Sequence, residues 1–395
     1  MQPTILARAA ALCLLAAAGS SHAVSFTQGD MTLDINGTIN GFYLNRDVTT
    51  TVKATGAQTR TQDSAVGNGL LPGWINFVAT TKVDEQDIKA HISFAPGLNN
   101  NSTIVGLPNA ATPGNGNPYS QIDTRNVYFQ FGNASWGRLK FGRDIGLFGQ
   151  NVILSDMTLL GVGGTTGANI PFNTTFGMIG HGYMYTGFQP QITYSTPDLG
   201  GLSAAAGIFQ PSKFAGDSTK SPGFQAKVDY DFKGAANGKV WAGLVSQNTH
   251  CSNSPCSTPA FNARGFELGA KAGVGDFEAL AYGFTGKGLG LSTVGAQFFG
   301  GSDGAGNRTE SKGYFLQGTY RMGATKLGLN LGQNKDKGGV LGAGNERKNT
   351  AYTAGVYHAL NKYITLVGEY NNEKVTDSTT ETRSRTLSLG GIVFF

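Results

Sequence analysis

The chain has 395 residues, of which 59 are glycine and only 14% are charged, whereas soluble domains usually carry about 25% charged residues. Its formal net charge of +5 is too small and too evenly spread to indicate a nucleic-acid-binding protein. A soluble chain so poor in charge would need a strongly apolar core, but in this sequence apolar and polar residues alternate.

Residues 1–23 have the organisation of a secretory signal peptide. Arg8 is followed by an apolar run from residue 9 to 18, and the segment closes on the small-x-small pattern Ser21-His22-Ala23. The alternative is a membrane anchor, but the run is far shorter than the roughly 20 residues that a spanning helix needs. We predict cleavage after Ala23 and a single exported domain over residues 24–395.

The rest of the chain consists of short segments in which every second residue is apolar, the period of a strand with two different faces. In FQAKVDYDF, residues 224–232, the even positions are apolar or aromatic and the odd positions are Gln, Lys, Asp and Asp. Sixteen such strands are predicted, at 32–45, 73–82, 88–94, 125–131, 137–145, 190–196, 202–209, 224–232, 238–247, 263–273, 277–287, 312–321, 324–334, 350–358, 363–374 and 384–395.

The connections between these strands alternate in length. The short ones are turns rich in Gly, Asn and Asp: VDEQD, GNASW, PDLGG, KGAAN, VGD, MGA and LNK. The long links are 46–71, 95–124, 146–189, 210–223, 248–262, 288–311, 335–349 and 375–383. A rim of short turns opposite a rim of long loops is typical of outer-membrane barrels.

The strands of a soluble β-sandwich also alternate between apolar and polar residues, but such a fold does not need sixteen strands with all the long loops at one end. Lipid requires every backbone group to be paired within the sheet, which only closure provides. We therefore predict an all-β fold, a closed antiparallel sixteen-stranded transmembrane β-barrel.

The last strand predicts how the barrel closes. In LSLGGIVFF, residues Leu387, Leu389, Gly391, Val393 and Phe395 lie on one face, which we expect to contact lipid while the strand pairs with the first one. Six aromatic residues near strand ends are expected to form interfacial girdles: Tyr43, Trp136, Tyr194, Tyr230, Tyr320 and Tyr363.

Two cysteines remain after the predicted cleavage, Cys251 and Cys256, in the polar stretch NTHCSNSPCSTP. In an oxidising compartment such a pair indicates a disulfide that closes a small loop. The alternative is a metal or redox site, but the spacing is not that of a catalytic CxxC.

The sequence resembles the general porins of Gram-negative outer membranes, a family of trimeric sixteen-stranded diffusion channels. The resemblance rests on the signal peptide, the aromatic last strand, GRLKFGRDIGLFG (137–149) and ITYSTPDLGGLSAAAGIF (192–209). It implies a homotrimer, and it implies that Phe395, with Val393 and Leu389 before it, is an assembly signal for the barrel-insertion machinery.

The resemblance also implies a third loop folded into the pore, which corresponds to the longest link, 146–189. A long loop without a disordered composition is usually functional. In the family, acidic residues on this loop face basic residues on the wall, and an arginine stands at the loop entrance. Arg143 of this sequence matches that arginine. Asp156 is the only acid between Ile145 and Gln189. Alternatively, Arg143 bonds loop carbonyls and Asp156 caps a helical turn.

Strict alternation directs several side chains of strands three and five into the lumen: Lys89, His91, Arg138 and Lys140. They give a weakly positive wall, which favours a slight anion preference, or they are simply solvated lumen residues. Thr38 and Trp74 stand where the family usually carries basic residues, so a weakly charged constriction is expected.

We predict a passive channel for small hydrophilic solutes and ions, with no catalytic residue, cofactor, metal or nucleic-acid partner. Its expected surroundings are outer-membrane lipid and lipopolysaccharide. The main alternative is a substrate-specific channel whose constriction carries large apolar side chains: Trp74, Phe172, Phe176 and Met178. An outer-membrane enzyme is disfavoured because no histidine after residue 24 lies in a recognisable catalytic motif.

Overall fold

The computed structural model describes residues 24–98, 122–165, 174–212, 217–251, 260–292, 297–298 and 300–395. The strands of these ranges join in one sheet, and every strand pair in it is antiparallel. The strands are β1 (Val24–Gln28), β2 (Met31–Val52), β3 (Gln58–Gly67), β4 (Trp74–Val83), β5 (Gln86–Pro96), β6 (Ile122–Asn133), β7 (Gly137–Ile145), β8 (Phe188–Ser195), β9 (Leu202–Phe209), β10 (Asp217–Ser218), β11 (Gly223–Phe232), β12 (Asn237–Cys251), β13 (Phe261–Val274), β14 (Phe277–Lys287), β15 (Glu310–Met322), β16 (Thr325–Lys337), β17 (Glu346–Ala359), β18 (Ile364–Thr376) and β19 (Thr380–Phe394).

The nineteen strands make a closed barrel whose wall is sixteen strands wide. Strands β3 and β4 pair with the same edge of β2, one above the other, and together make a single wall strand. Strands β1 and β10 are short additions, paired with the ends of β2 and β12. The predicted sixteen-stranded antiparallel β-barrel is confirmed.

The barrel closes between the first and last wall strands. Strand β19 pairs with β2 from Thr380 opposite Val52 to Phe394 opposite Thr38. The outward residues of β19 predicted to contact lipid are exposed on the outer surface: Leu387, Leu389, Val393 and Phe395. The C-terminal strand is therefore one side of the seam, as its alternation predicted.

The two faces of the wall differ in polarity. In β11, Phe224, Val228 and Tyr230 are exposed on the outside, while Gln225 and Lys227 are buried on the inside. An apolar outer band and a polar interior are what a barrel surrounded by lipid requires. No helix within the described ranges has the length and hydrophobicity needed to span a membrane.

The two rims differ as predicted, with two exceptions among the long links. The last link, predicted at 375–383, is only a turn over residues 377–379 between β18 and β19. The seven short turns lie at one end of the barrel and the long links at the other. The predicted first link, 46–71, is wrong, because β2 continues to Val52 and pairs with β3 as a two-stranded extension of the wall. This extension is polar on both faces, so it has no apolar alternation by which to recognise it.

Candidate functional site: the lumen and its inner segment

The link between β7 and β8, residues 146–187, is the most buried connection of the described chain. Its ranges 146–165 and 174–187 contain helix α1 (Gln150–Ile153) and a 3₁₀ turn (Met157–Leu160). Its apolar side chains join one cluster with large inward residues of the wall: Val152, Val162, Met178 and Met184 of the link, Phe42, Trp241 and Phe315 of the wall. We call this link the inner segment.

Three glutamates of the wall bind the backbone of the inner segment. Glu267 of β13 accepts a hydrogen bond from the Gly149 amide at 2.8 Å. Glu369 of β18 accepts from the amides of Val162 and Gly163 at 2.8 and 2.7 Å. Hydrogen bonds to a carboxylate are stronger than those between neutral groups, so these contacts fix the segment against the polar face of the wall.

The third glutamate, Glu373, and three amide side chains extend this attachment. Glu373 accepts from the Thr165 amide at 2.9 Å, and Gln317 accepts from the Met157 amide at 2.7 Å. Asn334 and Asn349 donate to the carbonyls of two further segment residues, Tyr183 and Gly180, at 3.1 and 2.9 Å. The segment is thus held along β15 to β18 over most of its described length.

Glycines allow the segment to lie against the break between β3 and β4. The Leu70 amide donates to the Gly161 carbonyl at 2.9 Å. A Cβ atom on Gly69 would stand 2.0 Å from the Gly161 oxygen, and one on Gly161 would stand 1.9 Å from Oε1 of Glu369. Backbones this close leave no room for a side chain, which explains why the second wall strand is interrupted here.

Asp156 lies inside this packing and does not face an open channel. It is 3% exposed, and its carboxylate accepts hydrogen bonds from the Tyr183 hydroxyl at 2.7 Å and from the amides of Thr158 and Met178 at 2.9 and 3.2 Å. Asp156 therefore caps the 3₁₀ turn and joins the two described parts of the segment. The pore-facing role predicted for it is wrong, and the alternative of a helical cap is correct.

Arg143 also differs from the prediction. The register places it opposite Val127 and Pro190, on the outward face of β7, and its Nε donates to the Thr124 carbonyl at 3.1 Å. The constriction role predicted for it is wrong, because Arg143 is an odd number of residues from the inward Lys140. Asp144 takes the inward position, and its carboxylate accepts a hydrogen bond from Asn126 at 2.7 Å.

Lys89 and His91 of β5 and Arg138 and Lys140 of β7 share the inner face with Tyr128 of β6. Lys89 and Lys140 both stand opposite Gln130 in the register. Their ammonium nitrogens lie 5.8 and 4.7 Å from the centre of the Tyr128 ring. The inward orientation predicted for these side chains is therefore found in the structure.

These cations differ in their acidic partners. Lys140 is ion-paired with Asp144, and Arg138 lies 3.9 Å from Asp87. Among the residues that the structure describes, no carboxylate lies within 4.0 Å of the Lys89 ammonium. Three inward lysines across the barrel are paired: Lys227 with Asp229 at 3.0 Å, Lys239 with Asp231 at 3.2 Å and Lys271 with Glu278 at 3.1 Å. Lys326 of β16 lies 4.8 Å from the centre of the inward Tyr357 ring and has no carboxylate within 4.0 Å among the described residues.

Arg125 is an inward cation that alternation failed to identify. The register of β5 and β6 shifts between Ile92 and Phe94, and this irregularity lets Arg125 and Asn126 both be buried on the inner face. The Arg125 guanidinium carbon lies 5.3 Å from the Trp74 ring centre and 5.4 Å from that of Phe188. No glycine or proline marks the shift, so the sequence carries no signal for it.

The remaining predicted residues are placed as follows. Trp74 is 9% exposed and Phe176 and Met178 are buried, all three in the apolar cluster between segment and wall. Cys251 ends β12, whereas Cys256 and Phe172 lie outside the described residues, as does the predicted signal peptide. The disulfide and the signal peptide stay predictions.

Comparisons with known proteins agree with this architecture. A family model described as Gram-negative porin matches residues 9–378. A search of curated proteins finds no match. Similar solved structures include the outer-membrane channel DcaP of Acinetobacter baumannii, with 14% identity over 92% of this chain and 98% of that one and a TM-score of 0.60.

Two further structures have the same fold. The anion-selective porin of Comamonas acidovorans is 16% identical over 92% of this chain and all of that one, with a TM-score of 0.58. The trimer form of OmpT of Vibrio cholerae is 14% identical over 93% of this chain and all of that one, with a TM-score of 0.55. At these identities the likeness shows the fold alone.

Proposed function

The chain belongs to the family of Gram-negative porins and is an outer-membrane channel for passive diffusion, and on that premise we propose that it passes small anions slightly better than cations. The observation that carries this proposal is the pair of lysines beside Tyr128. Two ammonium groups lie within 6 Å of one ring centre on the inner face, and one of them has no carboxylate partner in the described chain. A fixed positive potential on the wall raises the local concentration of anions.

The distribution of ion pairs supports the direction of this preference. Across the barrel, Lys227, Lys239 and Lys271 are each paired with a carboxylate, so these three residues contribute little net charge. The glutamates that bind the inner segment are buried beneath it and accept hydrogen bonds from its amides. The positive excess therefore stands on β5 and β7, and on β16 at Lys326, which has no carboxylate within 4.0 Å in the described chain.

The test is the reversal potential of the purified channel in a planar bilayer that separates two concentrations of potassium chloride. We expect a potential of the sign given by chloride carrying more current than potassium. A clear potential of the opposite sign would refute the anion preference, and a bilayer without conductance would refute the channel itself.

The alternative of a substrate-specific channel with an aromatic constriction receives no support from these positions. Trp74, Phe176 and Met178 are buried between the inner segment and the wall, so they offer no exposed ring or thioether to a passing solute. We therefore keep general diffusion as the proposed function, with the inner segment as the part that narrows the lumen.

We propose that three copies assemble through the outer face of β4 to β7. This face carries an aromatic group in which Phe129 stacks on Phe141 with ring centres 5.1 Å apart, and Phe77 meets Phe94 at 6.2 Å. The structure of OmpT from Vibrio cholerae is a trimer form of the same fold. Mass spectrometry of the intact detergent-solubilised protein tests this, and a mass of one copy would contradict it.

We propose further that the exported chain comprises residues 24–395 and reaches the membrane through the barrel-insertion machinery, with Phe395 as the recognised residue. The exposed outward row that ends at Phe395 supports this role, because the row stays accessible on one face of the last strand. N-terminal sequencing of the protein from outer membranes tests the cleavage, and a sequence that does not begin at Val24 would contradict it.

A further inference from the structure

The link between β14 and β15 also lies inside the barrel. Its residues 288–292, 297–298 and 300–309 are described, and we call them the second insert. Leu289, Ser292 and Phe298 of this insert are all buried. Residues 288–302 contain no charged side chain, whereas loops in contact with water are usually polar. The composition of the insert therefore agrees with its burial.

The second insert is attached to the inner face of the wall on two sides. The amide and the hydroxyl of Ser292 donate to the buried Asp336 of β16 at 3.1 and 2.7 Å. On the other side, the Phe298 ring stacks on that of Phe209 of β9, with ring centres 6.0 Å apart and planes 24° apart. Phe209 is buried, whereas its outward neighbour Ile208 is exposed, so this contact lies within the lumen.

The reach of the second insert shows that it crosses part of the lumen. The insert leaves the wall at the end of β14, whereas Phe209 lies on β9, four strand spacings away through β13, β12 and β11. At about 4.8 Å for each spacing, this distance is roughly 19 Å along the wall. The insert therefore lies across the long-link end of the lumen along β9 to β14.

Two inward glycines of the wall make room for the second insert. A Cβ atom on Gly286 of β14 would stand 2.2 Å from Cδ1 of Leu289, and one on Gly265 of β13 would stand 2.7 Å from the same atom. The Cβ on Gly265 would also stand 3.1 Å from the Phe148 ring of the inner segment. The wall thus lacks side chains at the place where the second insert meets the start of the inner segment.

The part of the insert around Phe298 is held in a fixed conformation. Gln297 donates through its side-chain amide to the Phe148 carbonyl at 3.2 Å, and the Phe298 amide donates to the Leu289 carbonyl. Phe298 has a φ of 69°, a left-handed conformation that is uncommon for a residue other than glycine. Such a conformation persists only where the surrounding structure enforces it. The contacts with Leu289 and Phe209 therefore fix the position of this part of the insert.

We propose that the second insert is a size filter at the long-link mouth, separate from the inner segment, and that Phe298 is its positioning residue. The insert brings main chain and apolar side chains into the lumen and no charge over residues 288–302, so it restricts solutes by their size and not by their charge. The solutes that it holds back are bulky neutral molecules such as oligosaccharides. This inference requires only that the chain is a channel and does not depend on the anion preference.

The test measures the swelling of liposomes that contain the purified full-length channel. The solutes are three neutral sugars of increasing size, arabinose, sucrose and raffinose, and each swelling rate is divided by the rate for arabinose. Phe298→Ala removes the ring that holds the insert on β9. The matched control is Phe277→Ala, which removes a phenylalanine ring from the exposed outer surface of β14.

We expect Phe298→Ala to raise the raffinose ratio severalfold and the sucrose ratio less, while Phe277→Ala keeps both ratios of the parent. Phe298→Leu retains an apolar side chain against Phe209 and should stay close to the parent. Gln297→Ala removes only the hydrogen bond to Phe148 and should raise the raffinose ratio by a smaller factor. An unchanged raffinose ratio in Phe298→Ala would overturn the proposal, and if that variant forms no channel, an unchanged ratio in Gln297→Ala would overturn it.

Two further readings of the same preparations separate the possible causes. A variant that merely damages the barrel would lower the arabinose and raffinose rates together and leave their ratio unchanged, which would count against the positioning role. The reversal potential of the parent in a potassium chloride gradient reports the anion preference, which uncharged sugars do not. A cation-preferring parent whose raffinose ratio rises in Phe298→Ala would therefore refute the anion preference and support the size filter.

Discussion

The amide of Phe395 donates to the carbonyl of Gly37 at 3.0 Å, and the amide of Gly37 donates to the carbonyl of Phe395 at 2.8 Å. This reciprocal pair continues the β2–β19 ladder beyond its last strand residue. The end of the chain is thus fastened to the first wall strand by backbone bonds as well as by its outward side chains.

Gly37→Ala should weaken the seam. The new Cβ would stand 2.1 Å from the Trp74 carbonyl oxygen and 2.7 Å from the Phe395 ring. Crowding of this kind usually costs about 1–3 kcal/mol in the free energy of unfolding. The measurement is the urea midpoint for unfolding of the barrel in lipid vesicles.

Gly41→Ala is the matched control, because it lies on the same face of β2 and its Cβ would meet only a Leu98 side-chain carbon at 3.6 Å. Its midpoint should stay close to that of the parent. A Gly37→Ala midpoint equal to that of Gly41→Ala would show that the seam tolerates the methyl group.

Glu369→Ala should loosen the inner segment. The substitution leaves the amides of Val162 and Gly163 and the Tyr357 hydroxyl without their acceptor. Each buried donor without a partner costs about 1–3 kcal/mol, so the segment should leave the wall part of the time. We expect extra fluctuations of the open current in single-channel recordings.

Glu278→Ala provides the comparison for this variant. It also removes an inward carboxylate, but Glu278 is ion-paired with Lys271 at 3.1 Å rather than with the segment backbone. Its open current should be as quiet as that of the parent. Equal current noise in the two variants would show that the fluctuations come from the loss of an inward charge. They would then not come from the loss of the hydrogen bonds between Glu369 and the inner segment.

Asp156→Asn should change the stability of the inner segment without changing ion selectivity. The side chain is buried and accepts four hydrogen bonds, from Tyr183, Thr158, Met178 and Asn330, and an amide group cannot accept all of them. We expect faster proteolysis within the segment and an unchanged reversal potential. A shifted reversal potential with unchanged proteolysis would restore the pore-facing role.

Lys89→Gln/Lys140→Gln should abolish the anion preference. The variant removes both ammonium groups beside Tyr128 and leaves Asp144 without its lysine partner. The reversal potential should move toward zero or to the sign of cation preference. Lys233→Gln/Lys362→Gln, which removes two lysines outside the lumen, should shift it less, and an equal shift would assign selectivity to net charge alone.

The barrel was predictable because lipid and water impose different requirements on the two faces of each strand. Where both faces contact water, this signal disappears, and so β2 was predicted to end at residue 45 when it continues to Val52. The same reason explains why β3, which is polar throughout most of its length, was assigned to a loop.

The lumen was less predictable because its details depend on the register between strands. Lys89, His91, Arg138 and Lys140 follow simple alternation and lie on the inner face. Arg125 reaches that face only through the shift between β5 and β6, which is set by pairing and not by local sequence. Asp156 could be identified as the single acid of its loop, but whether it faced water or the segment depended on packing.

The attachment of the inner segment has a consequence for how such a pore diversifies. Glu267, Glu369 and Gln317 bind amide groups of the main chain, which every residue except proline possesses. These hydrogen bonds therefore do not depend on the side chains of the segment, although its buried side chains, such as Val152, Met178 and Asp156, also hold it through packing and hydrogen bonds. Evolution, or a protein engineer, can exchange the segment side chains that are not buried to alter what permeates. The hydrogen bonds from the wall to the segment backbone would still hold the segment in place.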